Sequence, residues 1–414
     1  MTLPNISSEK DLYNAVRGIF RFVADTVSEH YGANVNTSAI AMPRNPRKIV
    51  ACNKQDFKPA DSDDATRIDI GIYSADLTKG ELKDKIDYCD MLLIVEAKKS
   101  DCCDNKDGVR VEALEQLCRY TRQIYEKQPW RRFAWGMTVC GSKVHVYIFG
   151  RDRIFESPMI DLRASDDRSK LIRLLASWAF CPRSVFGYDK TISHIGALDC
   201  FTFSVDGLDE LIYAPSTIRT SDNLFGRHTV CYHARAVPSN AVHEFTKSDL
   251  HPKHLDLFVK DAWAFSERSP GDGSNDEISF LKTINETFAG DEDMAGKYPL
   301  LRAGYVVAYT NEGGWDSSIT AIPDDTDSAF KTVGPDILAK TQYRRHKRIV
   351  IDVIAERLYD VNSVDELIVV LADAMYAHSR IFRECGILQR DISSNNIMFT
   401  RGKGTITGML IDFD

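Results

Sequence analysis

Residues 387–399 read ILQRDISSNNIMF, and residues 410–413 read LIDF. The first stretch contains an Arg-Asp pair that ends in Asp391 and is followed five residues later by Asn396. The second places Asp412 at the end of an apolar, strand-like run. Phosphoryl transfer needs a carboxylate that accepts the proton of the attacking hydroxyl, and an amide and a carboxylate that hold Mg²⁺ against the phosphates. The pattern therefore predicts Asp391 as the base and Asn396 and Asp412 as the metal ligands.

The elements around these residues can also be predicted. Apolar residues over 364–383 recur on one helical face, and Ser363 and Glu366 have the spacing of a capping box at its start. Glycines at 402, 404 and 408 separate two strand-like runs and predict a hairpin. The pattern predicts a long helix, a short loop and a hairpin that together carry the three candidate residues.

This combination resembles the catalytic loop and metal-binding strand of the protein-kinase-like fold. Within that fold it most resembles the fungal-type protein kinase family, whose loop reads HRDIS followed by a small residue, Asn and Ile, and whose metal motif is often DFD. Upstream, residues 258–263 read FVKDAW and resemble the VKDxW strand of that family. The resemblance implies that Lys260 contacts the α- and β-phosphates of ATP, that Glu277 is its ion-pair partner, and that Arg390 and Asp391 belong to the catalytic loop.

Residues 224–229, LFGRHT, resemble the phosphate loop of the same family. The resemblance implies that Gly226 and Thr229 bind ATP. The sequence departs from the family pattern at three of these positions. His228 replaces a second glycine of the loop, Gln389 stands where the family has the histidine that braces the catalytic loop, and Asn395 replaces the small residue before Asn396.

The resemblance implies ATP and Mg²⁺ as cofactors and transfer of the γ-phosphate to Ser or Thr hydroxyls of a protein substrate. Because the sequence stops at Asp414, directly after the DFD motif, we expect a truncated C-terminal lobe and weak or absent activity in this chain. The alternative function is a non-catalytic pseudokinase, scaffold or interaction protein.

A second group of polar residues lies near the N-terminus. Asp69 is on one strand-like run, and Glu96 and Lys98 share a face of the next, because side chains two apart on a strand point the same way. Two carboxylates and a lysine at one sheet edge can bind Mg²⁺ and position a water. In the following helix Gln116 and Tyr120, four residues apart, share one face.

With the element order α-β-β-β-α-β-β, which starts from a helix over residues 9–31, this group resembles the PD-(D/E)xK nuclease-like fold. The resemblance implies a third candidate function, a Mg²⁺-dependent nuclease. A structural or peptide-binding role for this domain is the remaining alternative.

We therefore expect a two-domain protein of the α+β or α/β class. Residues 1–205 are predicted to form the nuclease-like α/β domain, and residues 206–345 the N-terminal lobe of a kinase-like domain. Residues 346–414 are predicted to begin its C-terminal lobe, with the catalytic loop and the DFD motif.

The composition limits the cellular locations and the classes of binding partner that we expect. The chain has 414 residues and a net charge of −8, which argues against nucleic acid as a partner, whereas local basic residues of the N-terminal domain leave that alternative open. Ten cysteines without a CxxC pair, no signal peptide and no run of 18 apolar residues predict an intracellular protein, cytoplasmic or nuclear, without a membrane partner. The basic run RRHKR at 344–348 is expected to precede a strand as a solvated surface.

Overall fold

A computed structural model describes most of the chain from residue 109 onward and shorter parts before it. The described residues are 48–51, 70–73, 88, 91–98, 109–181, 183–189, 191–194, 201–204, 210–220, 224–238, 255–265, 276–307, 331–333, 344–402 and 404–413, with scattered positions from 11 to 26. Asp69 and most of the predicted helix over 9–31 lie outside them. Within that helix, the described Val16 and Val23 are helical and buried, as the apolar spacing predicts.

Apart from the scattered helical positions between 11 and 26, the described residues form four α-helices and eighteen strands. The helices are α1 Val109–Lys127, α2 Ser165–Phe180, α3 Glu277–Thr287 and α4 Val364–Cys385. The strands are β1 Lys48–Ala51, β2 Ile70–Tyr73, β3 Met91–Lys98, β4 Ala134–Cys140, β5 Lys143–Phe149, β6 Ile154–Glu156, β7 Ile160–Asp161, β8 Ile192–His194, β9 Phe201–Ser204, β10 Glu210–Thr220, β11 Val230–Pro238, β12 Leu257–Phe265, β13 Leu301–Val306, β14 Lys331–Thr332, β15 Arg344–Ile351, β16 Glu356–Arg357, β17 Ile397–Arg401 and β18 Ile406–Leu410. The fold is mixed α/β with several sheets.

The chain divides into two compact units. The first consists of residues 1–190, 221–228 and 320–341, and the second of residues 191–220, 229–319 and 342–414. The predicted division at residues 205 and 345 stays a prediction. None of the helices in the described part of the chain has the length and apolar character that a membrane-spanning segment needs.

The described part of the first unit is built on one sheet with the strand order β1-β2-β3-β4-β5-β6-β14, and β7 pairs with β5. Strands β3 and β4 are parallel and α1 connects them, because a parallel pair needs a crossover. β3 is buried along nearly its whole length, which explains why its sequence is a continuous apolar run. β4 and β5 form an antiparallel hairpin, with Gly141 at a positive φ of 57° in the turn.

The second unit contains an antiparallel sheet with the order β13-β15-β12-β11-β10-β9-β8 and a three-stranded sheet β16-β17-β18. α3 and α4 pack with β15, β17 and β18 in one apolar core that includes Leu281, Ile284, Ile349, Val370, Phe399 and Phe413. β18 approaches α4 so closely that a Cβ at Gly408 would lie 2.2 Å from the Val370 carbonyl oxygen. This contact requires glycine at that position of the predicted hairpin.

The start of α4 confirms the capping signal with one difference. The Ser363 hydroxyl accepts a hydrogen bond from the Glu366 N–H at 3.2 Å, as a capping box requires. The Glu366 carboxylate, however, accepts from the N–H of Asn362 at 2.7 Å, one residue earlier than the motif predicts. Gly386, at a φ of 69°, ends the helix in the left-handed conformation that favours glycine.

The expectation for the basic run at 344–348 is wrong. The run is the first part of β15, and His346 and Arg348 are buried. Antiparallel pairing with β12 places Asp261 opposite Arg348, and the buried carboxylate pairs with that guanidinium. His346 stacks on Trp263, with ring centroids 4.8 Å apart. The Arg348 charge is therefore compensated inside the sheet instead of facing solvent.

Candidate active site

Lys260 lies in the centre of the second unit, on β12. Its Nζ donates to Glu277 Oε2 at 2.7 Å and to Asp412 Oδ1 at 2.5 Å. The side chains of Lys260 and Glu277 are 12% and 9% exposed, so the ion pair is largely shielded from water. Hydrogen bonds between charged groups are the strong ones, especially where water is excluded. The structure thus brings together three of the predicted site residues, and Asp412 is 152 positions away from Lys260 in the sequence.

The position of Glu277 depends on how α3 begins. Asp276 is the N-cap: its carboxylate accepts from the Ser279 N–H at 2.8 Å, and the Ser279 hydroxyl accepts from the Asp276 N–H at 3.1 Å. Together these bonds fix the first turn, of which Glu277 is the first residue. Ile278 packs directly on Gly304 of β13: a Cβ added at Gly304 would lie 2.8 Å from Cγ2 of Ile278. This close packing holds the start of α3 against the sheet.

Asp391 and Asn396 are joined within the predicted loop. The Asn396 side-chain amide donates to the Asp391 carbonyl oxygen at 2.8 Å and to its carboxylate at 3.2 Å. Asn396 is buried, whereas Asp391 and Arg390 are exposed. The loop therefore has a fixed backbone and presents the Asp391 carboxylate to solvent, where a hydroxyl can reach it.

Asp412 follows β18 in a left-handed backbone conformation with a φ of 62°. Residues other than glycine rarely adopt this region, and such strain is concentrated at functional sites. The next residue, Phe413, is 2% exposed in the apolar core, while the Asp412 carboxylate meets Lys260. The Ile411 N–H donates to the Asn396 carbonyl oxygen at 2.9 Å, so the β17–β18 hairpin brings the two predicted metal ligands to the same end of the unit.

Gln389 connects the loop to the strand that carries Asp412. Its Oε1 accepts from the Asp391 N–H at 2.8 Å, and its Nε2 lies 3.0 Å from the Asp391 carbonyl oxygen and 3.2 Å from that of Asp412. Gln389 is 3% exposed. A neutral carboxamide offers a donor and an acceptor at the same time, and this arrangement uses both.

With this geometry in view, the comparisons with known proteins identify the family. A family model described as fungal protein kinase matches residues 67–414. The chain belongs to the fungal protein kinase family. No curated protein matches it. The kinase resemblance found in the sequence is thereby confirmed at the level of the family, whereas the nuclease-like resemblance of the N-terminal domain stays a prediction.

Fungal protein kinases, as protein kinases in general, use ATP and a divalent metal. The residues at this end of the second unit fit such a metal. Because the Asn396 amide nitrogen bonds to Asp391, the amide oxygen is the atom that is left to act as a ligand. Together with the 30% exposed carboxylate of Asp412 it supplies hard oxygen donors, which Mg²⁺ prefers in company with phosphate oxygens.

The predicted phosphate loop is divided between the two units. Gly226, at a φ of 132°, belongs to the first unit, where its N–H donates to the Arg151 carbonyl oxygen at 3.1 Å. His228 is buried there at a positive φ of 40°, with its ring 5.6 Å from that of Tyr125. Thr229 belongs to the second unit, directly before β11. ATP binding by Gly226 and Thr229 stays a prediction.

In the first unit, Glu96 and Lys98 lie together at the end of β3. Lys98 Nζ is 3.0 Å from Glu96 Oε1, and Glu96 is 2% exposed. Gln116 is half-buried and Tyr120 is buried on α1. Among the described residues, which do not include Asp69, no group of three or more His, Cys, Asp or Glu side chains could hold a metal ion. The nuclease site stays a prediction.

Sequence reasoning missed one polar pair in the first unit. His145 Nδ1 on β5 lies 3.2 Å from Glu156 Oε1 on β6, and both side chains are largely buried. Thr138, between His145 and Glu96 in the strand pairing, is buried as well. The polar residues that alternate with apolar ones in KVHVYIF, His145 among them, were visible in the sequence. Only the strand pairing, however, shows that His145 is aligned with Glu96.

The contacts of Gln389 lead to a stability prediction. Gln389→Leu fills about the same space but removes the acceptor for the Asp391 N–H and the donor to the Asp412 carbonyl oxygen, two partly buried bonds. We expect a loss of about 1–3 kcal/mol in the free energy of unfolding, measured with denaturant at pH 8. Gln389→His restores both functions only while the imidazole is neutral. The His variant should therefore lose stability relative to the unchanged chain as the pH falls below about 6.5.

The direction of this pH effect follows from the role of the histidine ring as a hydrogen-bond acceptor. A histidine that must accept from the Asp391 N–H has a lowered pKa in the folded state, so its contribution is present above the unfolded pKa and is lost below it. Equal stability of the Leu variant and the unchanged chain would contradict the bracing role. Arg357→Gln, at an exposed ion pair with Asp360, is the control and should change stability little.

Proposed function

We propose that the second unit binds Mg-ATP and transfers the γ-phosphate to a serine or threonine hydroxyl of a protein. The observation that supports this most directly is the pair of short contacts from Lys260 to Glu277 and Asp412, at 2.7 and 2.5 Å. A largely shielded lysine held between two carboxylates can turn to phosphate oxygens while Glu277 keeps its position. Phosphoryl transfer depends mainly on this kind of positioning and charge stabilisation.

Each residue has one part in the reaction. Lys260 contacts the phosphates, and Glu277 braces it. Asp391 orients the attacking hydroxyl and accepts its proton, while the hydroxyl oxygen forms the bond to the γ-phosphorus and the bond from that phosphorus to the bridging oxygen of ADP breaks. A metal ion bound by Asn396 and Asp412 would neutralise charge on the phosphates.

The test uses the whole chain. We expect millimolar Mg-ATP to raise its melting temperature and to label either the chain itself or a serine/threonine peptide library with γ-phosphate. Chelation of the metal by EDTA should abolish both effects. An unchanged melting temperature together with no labelled product would refute the proposal. ATP binding without transfer would instead favour the non-catalytic alternative, a pseudokinase or scaffold.

A further inference from the structure

The basic run on β15 contains a lysine that the proposed reaction does not use. Along β15 the side chains alternate: Ile349 and Ile351 belong to the core shared with α3, whereas Val350 belongs to the core on the opposite face of the sheet. Lys347, two residues before Ile349, therefore faces α3. Lys260 lies on the neighbouring strand β12, paired with Ile349, and faces the same side.

These two lysines bind two consecutive carboxylates. Lys347 Nζ donates to Asp276 Oδ2 at 2.6 Å, and Lys260 Nζ donates to Glu277 Oε2 at 2.7 Å. Asp276 is the N-cap of α3, and Glu277 is its first residue. The N-terminus of α3 is therefore anchored to two adjacent strands through two separate ion pairs.

The pair between Lys347 and Asp276 is shielded from water. The Lys347 side chain is 11% exposed and that of Asp276 is 28% exposed. Burial by itself raises the pKa of Asp276, but the hydrogen bonds from Lys347 and from the Ser279 N–H outweigh it, so the net pKa lies below its ordinary value. The carboxylate is thus charged at neutral pH and serves both the helix cap and Lys347.

We propose that Lys347 is a positioning residue of the nucleotide site, which holds Glu277 against Lys260 by anchoring Asp276. This role rests on the proposed function, and it adds a residue outside the reaction that determines the position of Glu277. Without Lys347, the start of α3 keeps its own capping box and the packing of Ile278 on Gly304, but it loses its second electrostatic anchor to the sheet. Glu277 is then free to leave Lys260, which the phosphates need in a fixed place.

The chain offers variants that separate this role from helix capping. Asp276→Asn keeps an N-cap residue, because asparagine caps as well as aspartate, but it removes the charge that Lys347 binds. Lys347→Gln removes the other partner, and Lys347→Arg restores a cation. Arg357→Gln, at the exposed pair with Asp360, is the matched control.

The readouts are the dissociation constant of Mg-ATP and the hydrogen exchange of the α3 backbone amides, measured on the whole chain. We expect Lys347→Gln and Asp276→Asn each to weaken Mg-ATP binding by about three- to tenfold and to speed exchange in the first turns of α3. The double variant should be no weaker than either single one, because both changes break the same contact. Lys347→Arg should recover most of the affinity, and Arg357→Gln should match the unchanged chain.

The outcomes distinguish this inference from the proposed function. If the unchanged chain does not bind Mg-ATP, the proposed function fails and the positioning role falls with it. If the unchanged chain binds Mg-ATP and folded Lys347→Gln binds it equally well, only the positioning role is overturned. Additive losses in the double variant would also overturn it, because they would mean that the two residues act independently.

Discussion

Asp391→Asn is expected to lower the rate of phosphoryl transfer by about 10²–10⁴-fold, the usual contribution of a positioned base. Mg-ATP affinity should stay within about twofold. The variant removes the carboxylate that we propose as the proton acceptor, while the main bonds that shape the loop are retained. Those bonds join Gln389 and Asn396 to backbone atoms of Asp391. Single-turnover transfer to a serine/threonine peptide library, with Mg-ATP affinity measured in parallel, tests the expectation.

Asp412→Asn is the matched control, because it should fail at an earlier step. It weakens a proposed metal ligand and removes a charged partner of Lys260, so Mg-ATP binding itself should decline along with transfer. Transfer at the unchanged rate in Asp391→Asn would exclude this residue as the base. An equal loss of ATP binding in both variants would show that Asp391 acts through the fold of the site.

Arg348→Met is expected to destabilise the chain by about 3–5 kcal/mol, because it leaves a buried carboxylate without its main partner. Arg348 is fully buried and holds Asp261 with two parallel bonds, Nε to Oδ1 at 2.8 Å and Nη2 to Oδ2 at 2.9 Å. Its Nη1 also donates to Thr191 Oγ1 at 2.9 Å. Denaturant unfolding measures the change in the free energy of unfolding. A loss below about 1 kcal/mol, as at an exposed ion pair, would contradict the role of Arg348 as the main partner of Asp261.

The same pair gives the chain a defined dependence on acid. Burial raises the pKa of Asp261, but Arg348 and His346 outweigh it and hold the pKa well below the ordinary value. A carboxyl with a lowered folded pKa contributes stability that is complete above its unfolded pKa of about 3.9 and is lost as the pH falls further. Asp261→Asn should remove this part of the acid sensitivity, as measured by unfolding between about pH 2 and 5.

Much of the local structure could be predicted because its causes are local. The apolar run of β3, the turn glycine between β4 and β5 and the Ser363 cap of α4 each depend on neighbours within a few residues. The family could also be recognised from the sequence, because the motifs around Lys260, Asp391 and Asp412 resemble those of fungal-type protein kinases, and a family model matches residues 67–414.

The bracing contacts could not be predicted in the same way. A glutamine at position 389 reveals nothing about which carbonyl groups it meets, because those of Asp391 and Asp412 reach it only after the β17–β18 hairpin has formed. The division of residues 224–229 between two units is also a consequence of long-range packing. Spacing rules describe neighbours on one helix or strand and contain no information on contacts between residues of different elements.

The basic run on β15 shows most clearly which properties the sequence determines and which depend on the tertiary structure. The sequence by itself determined that positions 344–348 carry charge, and that Asp391, Asn396 and Asp412 are residue types that phosphoryl transfer needs. Only the tertiary structure decided which charges are buried, because strand pairing places Asp261 beside Arg348 and the seating of α3 places Asp276 beside Lys347. The physical reason is that an ion pair depends on distances of a few ångströms between atoms that are many residues apart in the chain, and these distances are set by packing.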